Sequence, residues 1–227
     1  MGDLKNPKLA ILVALLAGIF WSFGPYVVRN IDEAQSVPWQ YLFTRGVVIF
    51  LLLNFYLYME EGLDFIYNYK KIGISGLIGG CGLATAMITF IWSITTTTAA
   101  ITLLCLAAMP FITALLGFLF LKETISTNVW VTIGVATLGI IIMAMGNHEK
   151  NTLIGFLFGI ISAIGFSVFS VSLRWRKETP KFTTVALAGL ICFLVSIVVI
   201  INKDLSLFSS SKNQTLFALH GAIVCLG

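Results

Sequence analysis

Residues 94–144 read ITTTTAAITLLCLAAMPFITALLGFLFLKETISTNVWVTIGVATLGIIIMA. Within this stretch neither 98–121 nor 128–146 carries a charged side chain. An α-helix rises about 1.5 Å per residue, so about 20 apolar residues cross the roughly 30 Å hydrocarbon layer of a bilayer. Each run is long enough to span it. The polar joint between them, Lys122 to Thr127, is too short for anything but a turn between neighbouring helices.

The rest of the chain repeats this pattern. Of its 227 residues 58% are hydrophobic and only 11% charged, and the mean hydropathy is +0.98. A water-exposed surface needs roughly 25% charged residues, so most of this surface faces lipid. Apolar runs fall at 8–28, 39–58, 72–93, 98–121, 128–146, 152–173 and 182–201, and an eighth opens near Thr215. Polar joints separate them at 30–36, 60–71, 94–97, 122–127, 147–151, 174–181 and 202–213. The first run follows Lys5 and Lys8, is too long for a signal-peptide core and precedes no small-residue cleavage site, so it reads as a retained span. The eighth run is too short to cross a bilayer, which predicts a longer native chain.

Orientation follows from the positive-inside rule. With the N-terminus cytoplasmic, Lys5, Lys8, Lys70, Lys71, Lys122, Arg174, Arg176, Lys177 and Lys181 face the cytoplasm, against Arg29, Lys150, Lys203 and Lys212 outside. The net charge of +4 is thereby explained without nucleic acid. Cys81, Cys105, Cys192 and Cys225 each lie in an apolar run without CxxC spacing or a neighbouring His, and read as packing residues. No metal or cofactor is expected.

An internal repeat is written in the small residues. Ala14, Gly18 and Ser22 stand four apart and are followed by Gly24; Gly155, Gly159 and Ala163 do the same, followed by Gly165, at a constant offset of 141. Small residues every fourth position let helices approach closely in lipid. A unit of five spans, being odd in number, places its second copy upside down. The expected fold is therefore an all-α polytopic membrane protein built as an inverted repeat of five-helix units. Residues 8–146 form the first unit and 152–227 an incomplete second, with ten spans expected in full and about seven and a half in the sequence shown.

With these features in hand, the stretch 94–144 resembles the second half of an EamA-type repeat of the drug/metabolite transporter superfamily. The matching features are the small-residue turn Thr97 to Ala100, Pro110 within a span, Leu121-Lys122-Glu123 at its end, and Gly134 with Gly139 in the next. GIFWSFGP at Gly18 to Pro25 and the proline-led span Pro38 to Arg45 fit the first half. The resemblance implies a ten-span carrier of metabolites with cytoplasmic termini. Lys122 stands where the family usually has glycine.

Arg45 is the most informative side chain. It lies about 9 Å into its helix, where a charge is costly and faces either the bundle interior or, by snorkelling, the interface. In the interior it would attract a carboxylate or phosphate. Trp21, Tyr41 and Trp92 are the aromatic candidates to share a substrate site with it, although Tyr41 and Trp92, near span ends, equally suit an interfacial belt. Tyr41 is one turn from Arg45. Pro25 and Pro110 are candidate hinges because proline interrupts helical hydrogen bonding, with a simple packed kink as the alternative. Glu123 is a candidate gate if it pairs with a cation, and otherwise an interfacial charge. His220, in the eighth run, is a candidate proton-coupling group, and His148 reads as solvated.

Neither a P-loop, an HExxH helix nor a serine nucleophile elbow occurs, so an enzyme is not expected. The absence of a TVGYG filter lowers a potassium-channel reading. The expectation is a secondary permease or exporter of small metabolites, such as amino acids, in the bacterial cytoplasmic membrane. The alternative is a non-transporting scaffold or lipid-binding helper. A small-molecule substrate and membrane lipid are the expected partners, without nucleic acid, and a homodimer is allowed but not required.

Overall fold

The computed structural model describes residues 7–146 and 150–226; His148 lies outside them. The described residues form helices α1 (Pro7–Arg29), α2 (Pro38–Glu61), α3 (Phe65–Lys71), α4 (Gly73–Thr96), α5 (Ala99–Ala107), α6 (Met109–Leu121), α7 (Thr127–Gly146), α8 (Lys150–Trp175), α9 (Lys181–Asn202) and α10 (Ser211–Leu226). No strand occurs among them. Five stretches of the described residues are long and apolar enough to cross a membrane: Pro38–Lys71, Gly73–Thr96, Ala99–Leu121, Leu153–Trp175 and Lys181–Asn202.

Local chemistry explains the boundaries. Pro38 opens α2, where its fixed φ suits a first helical turn. Gly62, at φ +61°, ends it. The threonine run at 95–98 makes the α4–α5 turn. The hydroxyls of Thr95 and Thr96 donate to the carbonyls of Ile91 and Trp92 at 2.7 and 2.5 Å. Thr97 is extended, and Thr98 caps α5 by accepting from the Ile101 amide at 3.3 Å.

Three features differ from the sequence expectation. The joint 60–71 is helical, a 3₁₀ turn at Gly62–Asp64 followed by α3. Its five charges obscured Leu63, Ile66 and Tyr67, which are exposed; with the Lys70 ammonium 5.1 Å from the Tyr67 ring centre, this is the composition of a helix lying at the membrane interface. The fourth span is two helices, broken at Ala108, with Pro110 in the first turn of α6. The proline ring that cannot continue α5 instead starts a new helix. Finally, α10 begins at Ser211, four residues before the apolar run.

The backbone at Lys122 is one that glycine adopts without strain. It ends α6 in the left-handed region, φ +55° and ψ 31°, and the next amide, Glu123 N, donates to the Gly117 carbonyl at 3.2 Å. A side chain in that conformation costs about 1 kcal/mol. Lys122→Gly is therefore expected to raise stability by about 1 kcal/mol, read as a higher midpoint of thermal unfolding; a lower midpoint would mean that the lysine side chain stabilises the turn.

At the centre of the bundle α2 and α9 run antiparallel, as the ring pairs Phe43–Phe193 (5.5 Å) and Tyr56–Phe182 (5.4 Å) show. They touch through glycine. A Cβ on Gly46 would lie 2.8 Å from both the Gly189 carbonyl oxygen and the Phe193 nitrogen, and one on Gly189 would lie 3.1 Å from the Gly46 oxygen and the Phe50 nitrogen. The contact is reciprocal at a sequence offset of 143 on both sides. α4 packs on α8 and α9, while α10 packs on α1 and α2. Exchanging α1 with α8, α2 with α9 and α4 with α10 maps this set of pairings onto itself.

The ends behave alike. Ser75, at the start of α4, shares a 2.5 Å hydrogen bond with Thr179 in the loop before α9. Asn213, at the start of α10, exchanges two 3.0 Å hydrogen bonds with the backbone of Asp32 in the loop before α2. The α8 stripe of small residues packs as its spacing predicts: Cβ atoms on Gly155, Gly159 and Gly165 would strike Thr97, Cys105 and Gly82. In α1, Gly24 packs against His220 but Gly18 meets open space. Gly134 and Gly139 likewise meet nothing. α7 touches α6 through Phe118 and Trp130, 5.9 Å apart, and exposes Val131, Val135, Leu138 and Ile142. An apolar surface on this scale suits contact with lipid or with another helix.

Candidate substrate site

The pairings of α2 with α9 and α10, and of α4 with α8, surround a cavity of ≈ 530 Å³. Its walls are Gly18 from α1; Arg45 and Leu53 from α2; Leu83 and Met87 from α4; Met109 at the α5–α6 break; Phe166, Phe169 and Ser170 from α8; Phe182 and Val185 from α9; and Val224 and Cys225 from α10. A smaller space bounded by Arg45, Phe90, Phe166, His220 and Val224 adjoins it. Among the described residues Arg45 is the one charged side chain lining either.

Arg45 is 4% exposed, which answers the snorkelling alternative: the guanidinium sits inside the bundle. Its Nε and Nη1 are buried without a hydrogen-bond partner. A buried cation lacking a counter-charge is unfavourable by several kcal/mol, so the arrangement is one that an anion would complete. Gly46, beside it in sequence, holds α2 against α9 and thereby fixes where the arginine stands.

Tyr41 and His220 support this corner without lining the larger cavity. Tyr41, one turn before Arg45, is buried, stacks on Phe217 at 4.7 Å and hydrogen-bonds through its hydroxyl to His220 Nδ1. The other ring nitrogen of His220 lies against α1, 3.1 Å from the position of a Cβ on Gly24. Glycine there lets the imidazole in. Trp92 lines neither space: it packs edge-on to Trp39 at 5.6 Å and near Phe158 at 6.0 Å. The side chain of Trp21 lies outside the described residues. Pro25 is accommodated within α1, which continues to Arg29. Pro110 adjoins the cavity wall through its neighbour Met109.

Glu123 has found a cation. Its carboxylate accepts from Arg174 Nη1 at 2.9 Å, and Arg174 Nη2 donates to the Thr113 carbonyl at 3.2 Å. The pair joins the end of α6 to the end of α8, and Gly117 makes room for the carboxylate, since a Cβ there would collide with Glu123. At the start of α10, Lys212 pairs with Asp32 at 2.7 Å. Both pairs are about half exposed, so each stabilises by well under 1 kcal/mol.

Most of the cavity wall is invisible to sequence reasoning. Leu83, Met87, Phe166, Phe169 and Val185 are chemically the same as residues that face lipid, and nothing short of the packing separates them.

Apolar helices of membrane-spanning length, packed through glycine, define a polytopic integral membrane protein. The EamA-like transporter family model matches residues 8–145, and the chain belongs to that family. No curated protein and no solved structure matches it.

Proposed function

We propose that this protein is a secondary carrier that moves small metabolites, amino acids or related compounds among them, across the bacterial cytoplasmic membrane by alternating access. The observation that carries the reading is the buried Arg45, with Nε and Nη1 lacking a hydrogen-bond partner, on the wall of a cavity that α1, α2 and α4 share with α8, α9 and α10. A cation without a counter-charge is unfavourable in a scaffold and useful in a solute site. Membership of a transporter family supports the same conclusion.

The inverted repeat, residues 8–146 against 152–227, is supported by the helix pairings that map onto themselves and by the reciprocal contact of Gly46 with Gly189. In this reading the N-terminus is cytoplasmic, and Glu123 with Arg174 closes the cytoplasmic end. The gate is tested by charge reversal. Glu123→Arg should lower flux several-fold with a stability change under about 1 kcal/mol, and adding Arg174→Glu should restore it; an unrestored double variant removes the pair from the mechanism.

Reconstitution tests the carrier itself. Protein in proteoliposomes preloaded with a metabolite mixture should exchange labelled solute in counterflow. Cysteines placed at Gly18, Leu83 and Met109 should react with a water-soluble thiol reagent. Absence of exchange together with uniform protection would favour the scaffold or lipid-binding reading.

A further inference from the structure

We infer that the Arg45 cavity selects apolar monocarboxylates, an aromatic or branched apolar body carrying one carboxylate and no ammonium group, over free amino acids. The inference rests on the carrier reading and narrows it to a substrate class.

Charge comes first. One guanidinium with two unpartnered nitrogens balances one negative charge, and among the described residues no acidic side chain lines either space. A zwitterion would bring an ammonium with no carboxylate to meet it: among the described lining side chains the ordinary hydrogen-bond acceptors are the Ser170 hydroxyl and the His220 imidazole, and neither carries a negative charge. A phosphate dianion would bring a second charge with no second cation. Burying an uncompensated charge in apolar surroundings is strongly unfavourable, so both are disfavoured.

The body of the substrate follows from the remaining wall. Phe166, Phe169, Phe182, Met87, Met109 and Leu83 offer aromatic faces and adaptable thioethers, which suit flat or branched apolar groups of variable shape. At ≈ 530 Å³ the cavity lies within the range of about 300–1,000 Å³ that small-molecule sites occupy. A planar guanidinium at one wall and apolar packing elsewhere orient such a molecule with its carboxylate toward α2.

Equilibrium binding to the purified full chain in lipid nanodiscs tests this with three ligands of one shape: 3-phenylpropionate, L-phenylalanine and the neutral 3-phenyl-1-propanol. 3-Phenylpropionate should bind saturably and at least about tenfold more tightly than either of the others. Arg45→Met should weaken it by about a hundredfold, and Arg45→Lys by less. Equal or tighter binding of L-phenylalanine overturns the inference. So does equal binding of the neutral alcohol, a comparison within the wild-type protein that does not depend on any variant folding. If none of the three binds while the reconstituted protein still exchanges other solutes, this inference fails and the carrier reading stands. If 3-phenylpropionate binds as expected but no solute is exchanged, the carrier reading fails and the site remains.

Discussion

Arg45→Met is expected to abolish transport and to raise thermal stability in the same protein. The two effects share one cause. In the folded chain the guanidinium is buried with Nε and Nη1 unpartnered, so the fold bears its desolvation without a compensating pair. Methionine has a similar length, fills the space and carries no charge. Replacing buried ionic groups by apolar ones of similar volume commonly stabilises by about 1–4 kcal/mol, and sites that trade stability for function behave this way generally. Flux in proteoliposomes and thermal unfolding in nanodiscs measure the two halves. Arg45→Lys should keep a fraction of the flux, because the charge remains while the planar fork is lost. Arg45→Ala should also lose transport, with a smaller gain in stability because a void is left. A melting point for Arg45→Met below that of the wild type would show that the guanidinium supports the fold, and wild-type flux would remove it from the substrate site.

Gly46→Val should have the largest effect on folding. The new Cβ would lie 2.8 Å from two backbone atoms, the Gly189 oxygen and the Phe193 nitrogen, and backbone cannot step aside as a flexible side chain can. Overpacking costs about 1–3 kcal/mol where a core can adjust, and here α2 and α9 would have to separate. We expect a loss of about 3 kcal/mol or more, seen as a sharply lower unfolding midpoint and poor recovery of folded protein. Gly18→Ala is the control. Its Cβ would meet nothing, so stability should hold or rise slightly through better helix propensity. If the two variants melt alike, the central contact is looser than the structure has it.

The contrast between these glycines marks how far the sequence can be read. The all-helical membrane class was legible from 98–121 and 128–146, because uninterrupted apolarity over that length has one physical use. Small-residue spacing pointed to close packing, and in α8 the packing is there. The same spacing in α1 includes Gly18, which borders the cavity instead; period alone does not distinguish a helix contact from an open wall. Arg45 stood out because a charge within an apolar run is costly wherever it points. His220 stands out in the sequence only by its position. Its bond to Tyr41 joins residues 179 apart, and no local pattern carries that. Pro110 announced a distortion, but whether the span bends or starts again depends on how Ala108 and Met109 are held. The short helix α3 is hidden in the sequence by its own charges, which sit among the apolar residues rather than apart from them.

The glycine contact between α2 and α9 also has a mechanical meaning. Gly46 stands eight residues from the start of α2 and fifteen from its end at Glu61, arms of about 12 and 22 Å at about 1.5 Å per residue. In a carrier that works by alternating access, the point of closest approach would act as a fulcrum, with a short lever on one side and a long one on the other. A tilt of about 10° there swings the two ends about 2 and 4 Å in opposite directions. Gly189 sits eight residues from the start of α9, and because that helix runs the other way its long arm lies opposite its partner's. Each membrane face thus has one long lever and one short one, so a single rocking motion widens one face by about the amount that it narrows the other.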